Sequence, residues 1–452
     1  MKKFFLMLLL GSVFTMGCNK ILVQNPQSSL DATTAFTTGP AVTAGLLGAY
    51  NSFQQAPYYG TDYTLLCDLE ADNLDHTGSF PTYEQVKNRA ITPDNTNVLN
   101  TWNTIYQGIN RVNTIIADIP NIKDASFDSA AALGEADFLR AFMYFDLMRF
   151  WGGTPSGFSD PNGQGVPLVL LPTFTASDAA PHARSSAGAV FTQILSDLSY
   201  AVANIPPIND AGRANAMAAT AFRARVELYI GQYDAAAADA ETVITESSGL
   251  FPTYAGIFLA KNVPSESIFE LQFSATNQDG LYFYYFGRDE VATDSSLYYA
   301  YNSTVDARIP VNFYNGVDAS GNAVIATSKY NDPDGSQDIS LIRLSEMYLI
   351  HAEAVLRGSS PDVAMATSDL NTVRARSNAT PTAAVTVSDL ETAILLENRL
   401  EFPHECHRWF DLRRLGLAAS TFGVTDSTKI LWPIPQSEVL TSGNVIAQNP
   451  GY

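Results

Sequence analysis

Apolar residues recur at three- and four-residue intervals through two long parts of the 452-residue chain, before about residue 250 and after about residue 340. Residues at these intervals lie on one face of an α-helix, so the pattern indicates amphipathic helices. One apolar stripe starts at Leu99 and stops at Pro120, and a second runs from Ala131 to Phe150. Two long helices with a short connection pack antiparallel. The pattern therefore predicts a mainly α-helical protein built from helix pairs.

Another helix pair is joined by residues 231–236, which read GQYDAA. Its first helix ends at Gly231, and Asp234 is placed to cap the second helix, which runs through Val243. Glycine, tyrosine and a small alanine in this order resemble the turn of a tetratricopeptide repeat, where small residues let two helices approach closely. A further pair follows, with an apolar stripe from Leu341 to Val355 and a partner helix that starts near Pro361. We therefore expect a scaffold of tetratricopeptide-type helix pairs.

The segment ENRLEFPHECHRWFDLRR, from Glu397 to Arg414, concentrates charge in a chain whose charged fraction is only 16%. A capping box at residues 388–391 predicts the start of its helix, and Pro403 predicts the end. Glu397 and Glu401 lie one turn apart, within reach of the guanidinium groups of the block, as does Asp411. The arginines concerned are Arg399, Arg408, Arg413 and Arg414. We interpret the block as an ion-paired structural lock.

An alternative interpretation makes Glu397 and Glu401 the general acid and base of a hydrolase. Neighbouring arginines would hold both carboxylates ionised, and an ionised carboxylate has no proton to donate. The sequence also lacks a G-x-S-x-G motif and a zinc-binding pair of histidines. We therefore expect a protein that is not an enzyme and that has neither a metal nor another cofactor.

The same block resembles the C-terminal signature of the RagB/SusD family of Bacteroidetes. The matching residues are Glu397, Arg399, Glu401, Phe402, Glu405, His407, Arg408, Trp409, Phe410, Asp411, Leu412, Arg413 and Arg414. The chain end adds Pro433, Ile434, Pro435, Gln436 and Glu438, followed by Gln448 to Tyr452. The chain departs from the family pattern at Asn398, at Pro403 and His404, and at Cys406, where glycine is usual. These departures concern the local backbone.

The resemblance implies a SusD-like fold and a cell-surface glycan-binding lipoprotein. Such a protein captures oligosaccharides and delivers them to a SusC-like TonB-dependent transporter of the outer membrane. Residues 18–452 would form the SusD-like domain, with a helical scaffold at about 30–250 and 340–420. A loop-rich ligand-binding region at about 251–339 would be inserted between the two parts.

The first 17 residues read as a signal peptide, with two lysines before an apolar run from Phe4 to Phe14. This run is too short to span a bilayer, which requires about 20 residues. The following Thr15-Met16-Gly17-Cys18 resembles a bacterial lipobox. We therefore expect removal of residues 1–17 and lipidation of Cys18, which would anchor the protein to the outer membrane. The alternative is a secreted protein in which Cys18 has no role.

The charge of the chain also limits its partners. A net charge of −20, from 26 basic and 46 acidic residues, argues against nucleic acid as a ligand. Apart from Cys18 the chain contains only Cys67 and Cys406, which are too few for a disulfide framework. We interpret both as small apolar residues of the core.

Residues 251–335 are rich in Tyr, Phe, Asn, Gly and Asp and have little helical periodicity, which predicts loops and short strands. Sugars present flat CH faces to aromatic rings and hydroxyl groups to polar side chains, so tyrosines in such a region are candidate glycan contacts. The candidates are Tyr282, Tyr284, Tyr285, Tyr298, Tyr299 and Tyr301. The alternative is a strand in which Tyr282 and Tyr284 share one face and Phe283 and Tyr285 the other, as parts of the core.

A second candidate patch precedes the Trp102 helix. In the family that the chain resembles, a loop in this position contributes to the glycan site. Its candidate residues are Asp72, Asn73, Phe80 and Tyr83. A different function, a tetratricopeptide-type adaptor that binds a protein or peptide at the outer membrane, is also consistent with helix pairs alone.

Overall fold

The computed structural model describes residues 36–175, 178–207, 211–259, 266–301, 305–318 and 320–452. The predicted signal peptide and the predicted lipidation site Cys18 lie outside these ranges. None of the helices within them combines the length and the apolar character that crossing a bilayer requires.

Helices form most of the regular structure, as the periodicity predicts. In chain order they are α1 (Gly39–Phe53), α2 (Asp62–Glu70), α3 (Pro81–Lys87), α4 (Thr96–Asp118), α5 (Ser129–Trp151), α6 (Ala187–Asn204), α7 (Ala216–Tyr229), α8 (Tyr233–Glu246), α9 (Tyr254–Leu259), α10 (Ser295–Ala300), α11 (Ile309–Asn312), α12 (Leu344–Arg357), α13 (Val363–Arg376), α14 (Val387–Glu401), α15 (Arg408–Arg414), α16 (Ala418–Phe422) and α17 (Gln436–Thr441). Two 3₁₀ turns cover Ile119–Asn121 and Ser427–Ile430, and a π-helical turn covers Phe283–Gly287.

Short strands lie mainly between residues 266 and 343. The strands are β1 (Leu74–His76), β2 (Gln164–Pro167), β3 (Arg184–Ser186), β4 (Ser267–Leu271), β5 (Val291–Thr293), β6 (Phe313–Val317), β7 (Ala323–Thr327) and β8 (Ile339–Arg343). An antiparallel sheet has the order β1-β5-β7-β6, while β2 pairs with β3 and β4 with β8. The prediction of helix pairs with a loop-rich region that carries short strands is confirmed.

The scaffold is a row of helices in which each packs against the next, in the order α1, α4, α5, α6, α7, α8, α12 and α13. Helix α5 lies within this row and is buried on almost every side from Gly134 to Trp151. Its ring Phe142 stacks on Phe222 of α7, with centroids 4.3 Å apart. A helix that is buried all round needs apolar residues on every face, and α5 has them.

Three local predictions are wrong by a few residues. Leu341 belongs to strand β8, and the following helix begins at Leu344. The helix of the charged block is capped by Thr386, which accepts a hydrogen bond from the Asp389 N–H, and not by Ser388. Asp234 lies in the first turn of α8, where its carboxylate accepts from the Ser359 N–H at 2.8 Å. It therefore ties two helix ends together instead of capping its own helix.

The charged block is an ion-paired lock, as predicted, but most of its partners come from elsewhere in the chain. Glu397 and Glu401 are fully buried. Glu397 accepts from Arg308 and Arg374, both at 2.5 Å. Glu401 pairs with Arg308 at 3.3 Å, with Arg343 at 3.0 Å and with Arg376. These arginines precede the block, so the lock fastens α14 to the segments before it.

The arginines of the block itself have other partners. Arg399 and Arg408 pair with Asp72 at 3.2 and 2.9 Å. Arg413 donates to backbone carbonyls at the end of α5, including that of Gly152 at 2.8 Å. Only Arg414 pairs with Asp411 as predicted, at 2.9 Å. The block therefore connects α14 and α15 to the loop at Asp72 and to α5.

Candidate functional site

A π-helical turn presents several aromatic rings at the surface. The Arg288 N–H donates to the Phe283 carbonyl at 2.7 Å. This bond joins residues five apart, as in a π-helix, and not four apart, as in an α-helix. Phe283 is 53% exposed. Tyr282 stacks on Phe286, with centroids 5.2 Å apart and planes 17° from parallel. Phe286 in turn lies parallel to Tyr314 of β6, at 6.1 Å and 2°.

We call Tyr282, Phe283, Phe286 and Tyr314 the ring surface. Tyr282 and Phe286 are half-buried, and Tyr314 is 44% exposed. The near-parallel rings come from two separate elements, the π-helical turn and strand β6. The alternative of a strand at residues 282–285 is wrong, since these residues belong to the turn. Since one helical turn brings residues four apart together, the spacing of Tyr282 and Phe286 was a usable signal for their contact.

The turn is anchored to the core on its inner side. Leu281 and Tyr285 are buried. The Tyr285 ring stacks on Tyr330, with centroids 6.1 Å apart. It also packs edge to face with His404, with ring centroids 5.8 Å apart. At its start, the Asp279 carboxylate accepts from the Leu281 N–H at 2.8 Å. The exposed rings are therefore carried by a fixed turn.

Glu290 joins the loop at residues 77–80 to this turn. Its carboxylate accepts from the backbone N–H groups of Ser79 at 2.9 Å and Phe80 at 2.7 Å, and from Arg288 at 2.7 Å. Burial alone would raise the pKa of the Glu290 carboxyl. These bonds, together with one from His76, hold that pKa below its usual value. The carboxylate is therefore ionised at neutral pH and keeps the loop beside the rings.

Polar and charged groups border the ring surface. The Arg288 guanidinium lies over the Phe80 ring, 4.0 Å from its centroid. Tyr284 is half-buried and stacks on Tyr83 at 5.9 Å. Burial, followed by the negative charge of Asp289, raises the pKa of the Tyr314 phenol. The charge of Asp289 therefore acts on the Tyr314 phenol, and its carboxylate is a candidate acceptor of hydrogen bonds from a hydroxylated ligand.

A cavity of about 390 Å³ adjoins the other side of β6. Its lining includes Tyr299, a residue that is 74% exposed, and Asn315, which follows Tyr314 in the strand. Asp75, Thr77 and Ser295 add polar groups. Strand β6 therefore borders both the ring surface, through Tyr314, and the cavity that contains Tyr299.

The ten residues predicted for the site fall into three groups. Phe80, Tyr282, Tyr284 and Tyr299 keep exposed or half-buried rings, and Tyr298 is half-buried against Phe313. The rings of Tyr83, Tyr285 and Tyr301 are buried. The hydroxyl groups of Tyr83 and Tyr301 bond to Asp62 and to the Leu400 carbonyl. Asn73 is buried beside Asp68 at 2.6 Å, and Asp72 is paired with Arg399 and Arg408.

Sequence reasoning missed Tyr314, Asn315 and the surface role of Phe286. Tyr314 lies in the strand FYNGV, where it alternates with the buried Phe313. Its partner Phe286 is far away in the sequence, so nothing local marked Tyr314 as part of the ring surface. The exposed alternate position in a strand was the only available signal.

Two family models match the chain. Residues 24–228 match a SusD-like model described as starch-binding and associating with the outer membrane, and residues 287–429 match the model of the SusD family. A SusD-like protein of Formosa agariphila is 27% identical over an alignment of 483 residues that covers 92% of each chain. A SusD-like protein of Bacteroides ovatus is 23% identical and is matched over 88% of this chain and 80% of its own.

Solved structures share the fold. A SusD superfamily protein from Bacteroides thetaiotaomicron superposes with a TM-score of 0.81 at 23% identity, over 91% of this chain and all of that one (100%). A protein described as a laminarin-binding SusD-like protein gives a TM-score of 0.76 at 24% identity, over 92% of this chain and 100% of its own. At these identities the likeness concerns the fold.

Proposed function

Because the chain belongs to the SusD/RagB family, we propose that it is a glycan-binding lipoprotein of the outer membrane that captures oligosaccharides on its ring surface. It delivers them uncleaved to a SusC-like TonB-dependent transporter. Glycan binding is supported by the family description, starch-binding and associating with the outer membrane, and by a structural neighbour described as laminarin-binding. Anchoring through lipid on Cys18 and exposure at the cell surface are parts of the same proposal.

The observation that carries the proposal is the stack of Tyr282, Phe286 and Tyr314, with ring planes 17° and 2° from parallel. Aromatic side chains present apolar faces and, in tyrosine, a polar end, which suits a site that is partly in contact with water. Sugar rings offer flat CH faces to such a surface, while Asp289 and Arg288 at its border match their hydroxyl groups. The proposed contacts are the ring surface with Phe80 and Tyr284, and Tyr299 with Asn315 across β6.

Binding without cleavage is supported by the state of the acidic pair. Although burial opposes ionisation, Arg376, Arg343 and Arg308 lower the pKa of Glu401 to about 2. A carboxylate in this state does not act as a general acid at neutral pH. Glu397 is enclosed by Arg308 and Arg374 and is fully buried, so a substrate does not reach it.

Affinity gels and titration calorimetry with starch, laminarin and their oligosaccharides test the binding step. The double variant Phe286→Ala/Tyr314→Ala removes the stack, and we expect retardation of the protein by its glycan to be lost. Val317→Ala is the matched control, since Val317 lies on the same strand and is 62% exposed. A double variant that binds as well as the wild type would refute the assignment of the site. A wild type that binds no glycan of a broad panel would favour a protein or peptide ligand.

Cell fractionation tests the anchor and the partner. We expect Cys18→Ala to move the protein from the membrane to the soluble fraction, and wild-type protein on intact cells to be cleaved by added protease. We also expect the anchored protein to co-purify with a TonB-dependent transporter encoded beside it. An unchanged fractionation of Cys18→Ala, or a gene neighbourhood without such a transporter, would contradict these parts of the proposal.

A further inference from the structure

A cavity of about 560 Å³ lies along α4, on residues that contribute nothing to the ring surface or to the Tyr299 cavity. We call it the α4 cavity. One wall is formed by Trp102, Asn103, Tyr106 and Gln107 of α4. The facing wall comes from residues 167–173, from residues 178–182 and from Glu438 near the chain end. The volume lies within the range of about 300–1,000 Å³ that is usual for small-molecule sites.

The segment that covers the α4 cavity is tied down by side chains of α4. The Tyr106 hydroxyl donates to the Pro167 carbonyl at 2.9 Å, and the Asn113 amide donates to the Val169 carbonyl at 2.9 Å. The Asn110 amide donates to the Thr173 carbonyl at 3.1 Å and accepts from the Thr173 N–H at 2.7 Å. Three side chains of α4 therefore hold residues 167–173 at successive points, which fixes this part of the cavity wall.

Aromatic and amide groups line the α4 side. The rings of Trp102 and Tyr106 lie 4.8 Å apart, and Trp102 is braced by Trp151 at 5.1 Å. Asn103 and Gln107 are one turn apart, so they lie on the same face of α4. Within the described part of the chain, neither amide makes a hydrogen bond, and the same holds for the side chains of His182 and Glu438 across the cavity. All four residues line the cavity, with Asn103 and Glu438 half-buried and Gln107 and His182 exposed, so their polar groups are open to a ligand from solution.

Charged groups of both signs surround this space, so the lining does not select an ion of either sign and a neutral ligand fits it. The Arg111 guanidinium donates to the Ser52 hydroxyl at 2.7 Å. The Asp178 carboxylate accepts from the Thr175 N–H at 2.9 Å. Amide groups, the His182 imidazole and the Glu438 carboxylate complete the polar lining. Together they donate to and accept from hydroxyl groups, while the Tyr106 ring offers an apolar face.

We propose that the α4 cavity is a second carbohydrate site, which binds one or two units of a neutral sugar independently of the ring surface. The inference goes beyond the proposed function, since it assigns a separate site, and its ligand class follows from the groups that line the cavity. Asn103 and Gln107 bind hydroxyl groups, Tyr106 contacts the sugar ring, and Glu438 accepts from a hydroxyl on the opposite side.

Titration calorimetry of the full chain with maltose and laminaribiose tests the second site. We expect at least one of these disaccharides to bind, and the double variant Asn103→Ala/Gln107→Ala to weaken this binding at least tenfold. Asn100→Ala is the matched control, because Asn100 is an exposed amide of α4 outside the cavity, and it leaves the affinity unchanged. The Phe286→Ala/Tyr314→Ala variant is expected to keep the disaccharide while losing longer glycans.

Each other outcome overturns the second site. If Asn103→Ala/Gln107→Ala binds the disaccharide with unchanged affinity, the disaccharide binds elsewhere. If Phe286→Ala/Tyr314→Ala no longer binds the disaccharide, its site is the ring surface. If neither disaccharide binds the wild type, the second site is refuted. The proposed function is then still tested by the binding of longer glycans. The failures of the two proposals are therefore distinguishable.

Discussion

The rings of Phe286 and Tyr314 lie parallel to within 2°, with their centroids 6.1 Å apart. One ring comes from the π-helical turn and the other from strand β6, so this contact joins two elements that are separate in the sequence. Because Tyr282 also stacks on Phe286, the three rings support one another. A glycan that stacks on this surface meets rings whose orientation is already fixed.

Two variants of Tyr314 separate the contribution of its ring to glycan binding from that of its hydroxyl group. Tyr314→Phe keeps the stack on Phe286, and we expect the glycan affinity to stay within about twofold of the wild type. Tyr314→Ala removes the ring, and since aromatic stacking contributes about 0.5–1.5 kcal/mol, we expect the affinity to fall by roughly two- to tenfold. Titration calorimetry with the same glycan measures both variants. Equal losses in both would mean that the hydroxyl group, and not the ring, contacts the ligand.

Glu401→Gln removes one negative charge from the centre of the buried lock. Three guanidinium groups, those of Arg308, Arg343 and Arg376, then lose a shared partner, and breaking a buried pair typically costs about 3–5 kcal/mol. We expect a fall of this size in the free energy of unfolding at pH 7, measured with guanidinium chloride. Glu391→Gln is the control, because Glu391 is 31% exposed and its pair with Arg357 contributes below about 1 kcal/mol.

The same residue predicts a loss of stability in acid. The pKa of Glu401 is about 2 in the folded protein and has a usual value of 4.5, so the folded state favours the ionised form. This contribution is complete above about pH 4.5 and is lost as the pH falls towards 2. We therefore expect the difference in unfolding free energy between wild type and Glu401→Gln to shrink between pH 5 and pH 3. A constant difference over this range would contradict the assigned pKa.

The contribution of Glu70 to stability is expected to depend on pH in the opposite direction. Burial raises its pKa to about 8, although bonding to Trp432 and the charges of Arg89 and Arg413 oppose the rise. Since the folded state holds this proton more tightly than the unfolded state, stability falls as the pH rises from about 4.5 to about 8. We expect the wild type to lose more than about 1 kcal/mol relative to Glu70→Gln between pH 5 and pH 9. Parallel curves for the two proteins would show that Glu70 is ionised throughout.

Gly78 lies where a side chain has no room. A Cβ atom at this position would lie 2.2 Å from the Glu290 carboxylate carbon, so Gly78→Ala displaces the loop at residues 77–80 or the carboxylate. We expect the melting temperature and the glycan affinity to fall together. Gly48→Ala is the control, because no atom lies within 4 Å of the added Cβ and alanine favours the α1 helix by about 1 kcal/mol. A Gly78→Ala protein as stable as the wild type would mean that Glu290 has a second arrangement.

Helix positions could be predicted because helical periodicity is a local property. The stripe from Leu99 to Pro120 corresponds to α4 at Thr96–Asp118, and the stripe from Ala131 to Phe150 to α5 at Ser129–Trp151. The cap of α14 was misplaced because Thr386 and Ser388 both fit a capping pattern, and the choice depends on backbone geometry. Between α14 and α15, His404 and Cys406 have φ of 63° and 62°, a left-handed conformation that does not continue an α-helix.

The tyrosines show where local reasoning stops. Tyr282 and Tyr285 are three residues apart. Tyr282 stacks on Phe286 at the surface, whereas Tyr285 is buried and stacks on Tyr330. Composition marked the whole region as aromatic and loop-rich, and could not decide which rings face water. Tyr314 was absent from the prediction because its stacking partner belongs to another element.

Local sequence is enough to predict the helical scaffold, the charged block and the resemblance to a family, because each depends on residues that are neighbours in the chain. The pairing of Glu401 with Arg308, Arg343 and Arg376, and the contact of Phe286 with Tyr314, could be found only in the folded chain. An ion pair or a ring stack requires two side chains within a few ångströms of each other. Periodicity places a side chain on a face of its own element, and only the packing of several elements brings its partner there.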